Sequence, residues 1–78
     1  MNGKRRLCDI KPGQCARVSE ISESCTIRRR LRDLGLIRGT IVECVMTGPL
    51  GDPAAYIIRG AVIALREDDA KFIIVEVI

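Results

Sequence analysis

Residues 28–47 read RRRLRDLGLIRGTIVECVMT, and the apolar period changes inside them. Ile27, just ahead of the stretch, recurs with Leu31 and Leu34 at i, i+4 and i+7, which is one stripe of a short helix. From Thr40 to Thr47 the period is two, with Val42, Cys44 and Met46 on one face and Ile41, Glu43 and Val45 on the other. Gly35 stands where a helix stops in the left-handed conformation, and Leu36 follows where a side chain folds back onto the last turn. Ser24 or Thr26 is placed to cap the start. The stretch therefore predicts a helix over about residues 26–34, inserted before a strand.

Outward from there the chain is strand-like. Pro12 and Gly13 suit a type II turn, and residues 14–21 alternate weakly as a first strand, with Ala16 and Val18 on one side. Ala55–Arg59 and Ala61–Leu65 are two β-rich runs hinged at Gly60. Residues 66–70 form an acidic helical turn, and Phe72–Val77 is a closing strand. Five short strands and one short helix in 78 residues predict a mainly β, small closed barrel over a single domain, 1–78. Closure would protect the edges of strands as sticky as FIIVEVI, residues 72–78.

Composition narrows the function classes. A chain that is 47% hydrophobic and 29% charged, with one Tyr, one Phe and no Trp, has an aliphatic core. It also lacks the aromatic platforms on which single-stranded nucleic acids stack. Residues 1–39 carry +6 and residues 40–78 carry −3, an asymmetry that would suit an acidic partner but is not a strong polyanion signal. No apolar run approaches the 18 or more residues of a membrane helix, and no secretory signal is seen, so a cytoplasmic chain is expected. Without histidine there is no imidazole base, and no catalytic set is expected.

Cys8, Cys15, Cys25 and Cys44 are the weak candidates for a metal site. Their spacing is irregular, with no Cys-x-x-Cys pair, so they read as reduced thiols rather than as zinc ligands. Cys25, near the helix start and close to Arg28 and Arg29, carries the alternative of an activated thiolate. Asp68 and Asp69 are further carboxylates that a metal-binding reading would need to bring together with the cysteines.

The four arginines separate by angle. At about 100° per residue, Arg28, Arg29 and Arg32 share an outer face and Arg30 flanks the apolar stripe. Asp33 lies within reach of Arg29 or Arg30. This face reads as a solvated surface or as a partner-facing basic patch. A groove-reading DNA helix would carry Asn, Gln or Ser among its arginines, and this one does not. GPLGDP, residues 48–53, lacks the Gly-Lys-Ser/Thr of a phosphate loop. It reads instead as a stiff turn with Asp52 as turn former and Leu50 held outward as a contact point.

The order of blocks resembles the FeoA family of bacterial ferrous iron uptake. Arg30-Leu31 precedes Leu34-Gly35-Leu36, then come Gly39, Pro49-Leu50-Gly51-Asp52-Pro53, Arg59-Gly60 and Ala64-Leu65-Arg66 with Ala70. Arg38 departs from the Gly-Leu-x-Pro-Gly often seen in that family, and the cysteines are not part of its pattern. The resemblance implies an SH3-like five-stranded barrel with an inserted helix. It implies a non-enzymatic cytoplasmic accessory protein, without a cofactor beyond weak transition-metal binding. Its partner would be the membrane ferrous-iron permease FeoB with its cytosolic G-protein domain, which would recruit it to the inner face of the membrane. Neither nucleic-acid binding nor membrane insertion is expected. A metal-sensing domain, related to the SH3-like domain of iron-dependent repressors, is the alternative; a small-barrel nucleic-acid binder is another. The surface expected to meet a partner joins Arg28, Arg29 and Arg32, the turn Leu36, Ile37 and Arg38, and the loop tip Leu50.

Overall fold

The computed structural model describes residues 3–78; residues 1 and 2 of the expected domain lie outside them. Six antiparallel strands run in the sheet order β1-β6-β2-β3-β4-β5. They are β1 (Lys4–Arg6), β2 (Cys15–Ile21), β3 (Ile41–Thr47), β4 (Ala54–Ile58), β5 (Ala61–Leu65) and β6 (Ile73–Val77). Helix α1 (Arg28–Asp33) is inserted between β2 and β3, and α2 (Glu67–Ala70) between β5 and β6. The five expected strands are β2 to β6. β1 adds a sixth, paired with β6 in the register Lys4↔Glu76, Arg5↔Val75 and Arg6↔Ile74. Its three residues are basic and all exposed, so no apolar period announces it.

Among the described residues no ladder joins β5 to β1, so the barrel closes through side chains rather than strand pairing. Leu65 at the end of β5, Ala70 of α2 and Leu7 share one buried core. Leu7 begins a 3₁₀ turn, Leu7–Asp9, directly after β1. Tyr56 of β4 is also fully buried, and its hydroxyl donates to the Leu7 carbonyl at 3.4 Å. That bond ties β4 to the turn across the interior.

The turns follow local chemistry. Gln14 N donates to Lys11 O at 2.9 Å around Pro12-Gly13, with Gly13 at φ +92°, as a type II turn requires. β4 and β5 are joined by Arg59 and Gly60 alone. Both have positive φ (50° and 86°), the conformation that matches the twist of a two-residue hairpin.

Leu34, expected to face inward, and Met46, which shares its strand face with Val42 and Cys44, both lie at the surface. Met46 is 61% exposed, because the β3–β4 register shifts between Cys44 and Met46 and the bulge turns the side chain outward. Leu34 is 41% exposed, because α1 ends at Asp33 and Leu34 is its C-cap, where the chain turns back. Leu36 takes its place. Leu36 N donates to Leu31 O at 2.9 Å and Gly35 N to Arg32 O at 3.0 Å, the paired bonds of a Schellman stop. Gly35 supplies the left-handed residue at φ +96°. Leu36 then packs fully buried beside Leu31, a position worth about 1.5–3 kcal/mol for a leucine.

The start of α1 differs from expectation. Neither Ser24 nor Thr26 caps it; Ile27 occupies the N-cap and makes no side-chain cap bond. Ser22 instead organises the approach, accepting Ser24 N on its hydroxyl and Cys25 N on its carbonyl. Asp33 forms no ion pair with Arg29 or Arg30 among the described residues, whereas Arg6 pairs with Asp9 and Lys71 with Asp68.

Candidate functional site

The β2–β3 register ends at Arg17↔Ile41, and the last bonds between the two run around Val18, from Val18 N to Thr40 O and from Gly39 N to Val18 O. β2 itself continues to Ile21 on the β6 side, with a bulge between Val18 and Glu20. The chain inserted here holds α1 and the turn 34–39. Between that insertion and the end of β2 lies a cleft of about 350 Å³.

Its walls come from separate elements. Arg28 and Arg32 of α1 stand on one side, Ser19, Glu20 and Ile21 of β2 on the other. Leu36, Ile37 and Arg38 close one end, and Lys4 of β1 reaches the lining as well. Arg28, Arg32 and Arg38 are exposed, as is Ile37, and none of these three arginines is held in an ion pair among the described residues. Thr40 fixes the turn: Ile37 N donates to its hydroxyl, which in turn donates to Gly35 O at 2.9 Å. Four bases against the single acid Glu20 make the cleft cationic over a partly apolar base.

The surface expected from the sequence is therefore divided. Arg28, Arg32, Leu36, Ile37 and Arg38 do converge. Leu36 is a correction within that set, since it is 0% exposed and supports the cleft from the core. Arg29 is exposed on α1 but does not line the cleft. Ser19, Glu20, Ile21 and Lys4 carried no sequence signal, because only the departure of β3 from β2 brings them beside α1.

Leu50 belongs to a different place. It is wholly exposed, at φ +61° and ψ +18°, a left-handed conformation that a leucine adopts only under constraint. The constraint is a tight loop in which Gly51 N donates to Gly48 O at 2.8 Å and Gly48 N to Pro53 O at 2.7 Å. Leu50 borders a smaller cavity of about 140 Å³, with Cys8, Tyr56 and Glu67 among its walls. Asp52 is more than a turn former. Its Oδ1 accepts from Glu67 N at 2.9 Å and so caps α2 from the loop.

The four cysteines do not assemble. Cys25 and Cys44 are buried in the core, whereas Cys8 and Cys15 are half-buried. Among the described residues no three Cys, Asp or Glu side chains group as metal ligands, Asp68 and Asp69 included. Burial pushes the thiols of Cys8 and Cys44 up, the Asp9 carboxylate adding to the effect at Cys8. Beside it, the Arg6 guanidinium hydrogen bond holds the Asp9 carboxyl below its ordinary range. Cys25 is a small side chain buried in the core. No helix among the described residues is long and apolar enough to cross a membrane.

Known proteins share this fold. One relative is an Fe(2+) transport protein A/Fe(2+) transporter FeoB fusion protein from Porphyromonas gingivalis. It is 32% identical over 73 residues, which cover 94% of this chain and 9% of the fusion protein. The solution structure of a FeoA-like protein from Clostridium acetobutylicum superposes with a TM-score of 0.89 at 33% identity, over 100% of this chain and 91% of its own. The crystal structure of FeoA from Stenotrophomonas maltophilia, an SH3 domain protein complexed with zinc, gives 0.79 at 31% identity, over 90% and 87% of the two chains. The FeoA domain profile matches residues 5–77, so this chain, an SH3-like barrel with a helix inserted after its second strand, belongs to the FeoA domain family.

Proposed function

We propose that this chain is a non-enzymatic, cytoplasmic accessory protein of ferrous iron uptake that binds the membrane iron permease FeoB through protein–protein contacts. The observation that carries this reading is the fusion of the P. gingivalis relative, in which a domain like this one is covalently joined to a FeoB transporter. A fused domain is held near its partner at high effective concentration, and a separate chain must reach the same place by surface affinity. Two surface features support such affinity here: an outer helix face with Arg28, Arg29 and Arg32, and the constrained, wholly exposed Leu50. A rigid apolar tip binds with little ordering cost. The absence of histidine removes the commonest general base, which agrees with a binding role.

The test is capture of the cytosolic part of the permease on the immobilised chain. Arg29→Glu and Leu50→Asp are each expected to weaken capture about tenfold or more while leaving the melting temperature within a few degrees, as exposed positions should. Undiminished capture by both folded variants would show that this surface is not the contact. No capture by the wild-type chain would remove the permease reading itself.

A metal-sensing role is the second reading, favoured by the zinc in the S. maltophilia relative. In this chain it would have to draw on ligands that do not converge among the described residues. Native mass spectrometry of protein purified with added iron or zinc decides it, a stoichiometric adduct being the outcome in its favour.

A further inference from the structure

We propose that the cleft between β2 and α1 is a docking site for an extended acidic peptide segment of a partner protein, with one apolar side chain seated between the acids. The inference rests on the reading of this chain as a partner-binding module, and adds to it where one partner segment sits and what its chemistry is.

Three independent features of the cleft specify that occupant. Charge comes first. Arg28 and Arg32 are one helical turn apart, Arg38 stands at the cleft's end, and none of them is ion-paired among the described residues. Like charges so placed repel one another, and a carboxylate that enters between them relieves the repulsion while gaining forked hydrogen bonds from guanidinium groups. Shape and apolarity come second. Ile21 and exposed Ile37 face the cleft over buried Leu36, a base that suits an aliphatic side chain and not a bare phosphate. The third feature is backbone. β6 pairs β2 through Ile21, but β3 has left by Val18, so residues 19–21 keep one edge without a strand partner among the described residues. An extended chain can add to such an edge, its backbone supplying affinity and its alternating side chains specificity. An ion or a nucleotide would use the arginines and leave the apolar base and the strand edge without a role.

The test uses the whole chain, labelled with ¹⁵N, and the synthetic peptide DEDLDED. Shift changes are expected at Ser19, Glu20, Ile21, Arg28, Ile37 and Arg38 as the peptide rises to roughly 1 mM. Fluorescence polarisation with the fluorescein-labelled peptide should then show about a tenfold loss of affinity in the double variant Arg28→Glu, Arg38→Glu. The Arg28→Lys, Arg38→Lys variant should fall between the two, because charge remains while the fork is lost. Replacing the peptide's leucine by serine should weaken binding several-fold, and KRKLKRK should not bind.

Absence of shifts in the cleft, equal binding by the folded double-Glu variant, or equal binding of the basic peptide overturns the proposal. So does a labelled DNA duplex that binds more tightly than the peptide and is lost in the same variant, which would assign the arginines to phosphates. Failure here is separable from failure of the permease reading. If the peptide does not bind while the permease fragment is still captured, the cleft assignment falls and the accessory role stands. Peptide binding without permease capture has the opposite meaning.

Discussion

At the scale of single residues, Gly35 concentrates the most constraint. It ends α1 in the left-handed conformation at φ +96°, and a Cβ built there would collide with the side chain of Arg59. The atoms met belong to the stem of Arg59, an exposed side chain that has to turn about its own torsions to make room. Gly13 has nearly the same φ, +92°, but open space around its Cβ position. The two glycines therefore separate conformational strain from collision. Gly13→Ala is expected to cost about 1 kcal/mol, and Gly35→Ala about 1–2 kcal/mol because the Arg59 stem must also turn, read as urea midpoints at constant slope. Equal losses at both sites would mean that the Arg59 stem moves aside freely and contributes nothing to the stop.

Elements depend on such residues in ways that sequence pattern shows unevenly. The period change at residues 28–47 located α1 and β3 correctly, because an apolar stripe and an alternating face are both local properties of the chain. It did not show the exposure of Leu34 and Met46, which is decided by a Schellman stop and a β-bulge. β1 was invisible because its three residues are basic and exposed, so its pairing with β6 leaves no apolar period to read. The candidate site was half legible: its arginines and its Ile37 turn could be named, but their neighbours on β2 depend on where β3 diverges. Asp52 makes the same point for α2. This four-residue helix starts at Glu67 with no side-chain bond from its own N-cap residue, Arg66. Its first N–H is taken instead by an aspartate 15 residues earlier. Asp52→Ala should therefore destabilise the domain by about 0.5–2 kcal/mol, as loss of a cap does. Asp52→Asn, which keeps an acceptor oxygen, should recover most of it. Differential scanning calorimetry of the three proteins checks this, and an alanine variant that melts like the wild type would show that water serves the Glu67 N–H equally well.

For the whole molecule, the distribution of titrating groups dictates an asymmetric response to pH. There is no histidine, so no side chain with an ordinary pKa titrates between about pH 5 and 8, and stability should be flat there. On the acid side, Asp9 is held low chiefly by its bond from Arg6, so its contribution is present above the unfolded value of about 3.9 and fades as pH falls through the lower folded one. That pair is solvent-exposed and screened by water and salt, so its loss leaves the acid limb shallow. The alkaline limb should be steep. Burial raises the Tyr56 phenol first of all, with Cys44 and Cys8 thiolates adding to it, and burial raises the Cys44 thiol too. For groups raised on folding, stability is complete below the unfolded pKa and is lost as pH climbs beyond it toward the folded value. The decline should therefore begin near pH 8.5 with the cysteines and steepen above about pH 10 with Tyr56. Tyr56→Phe should cost about 0.5–1.5 kcal/mol at pH 7 through the lost bond to Leu7 O, yet flatten the curve above pH 10. Urea midpoints from pH 3 to pH 11 for both proteins decide it. Parallel alkaline limbs would mean that the buried phenol ionises without loss of structure, and that the interior around Leu7 admits water.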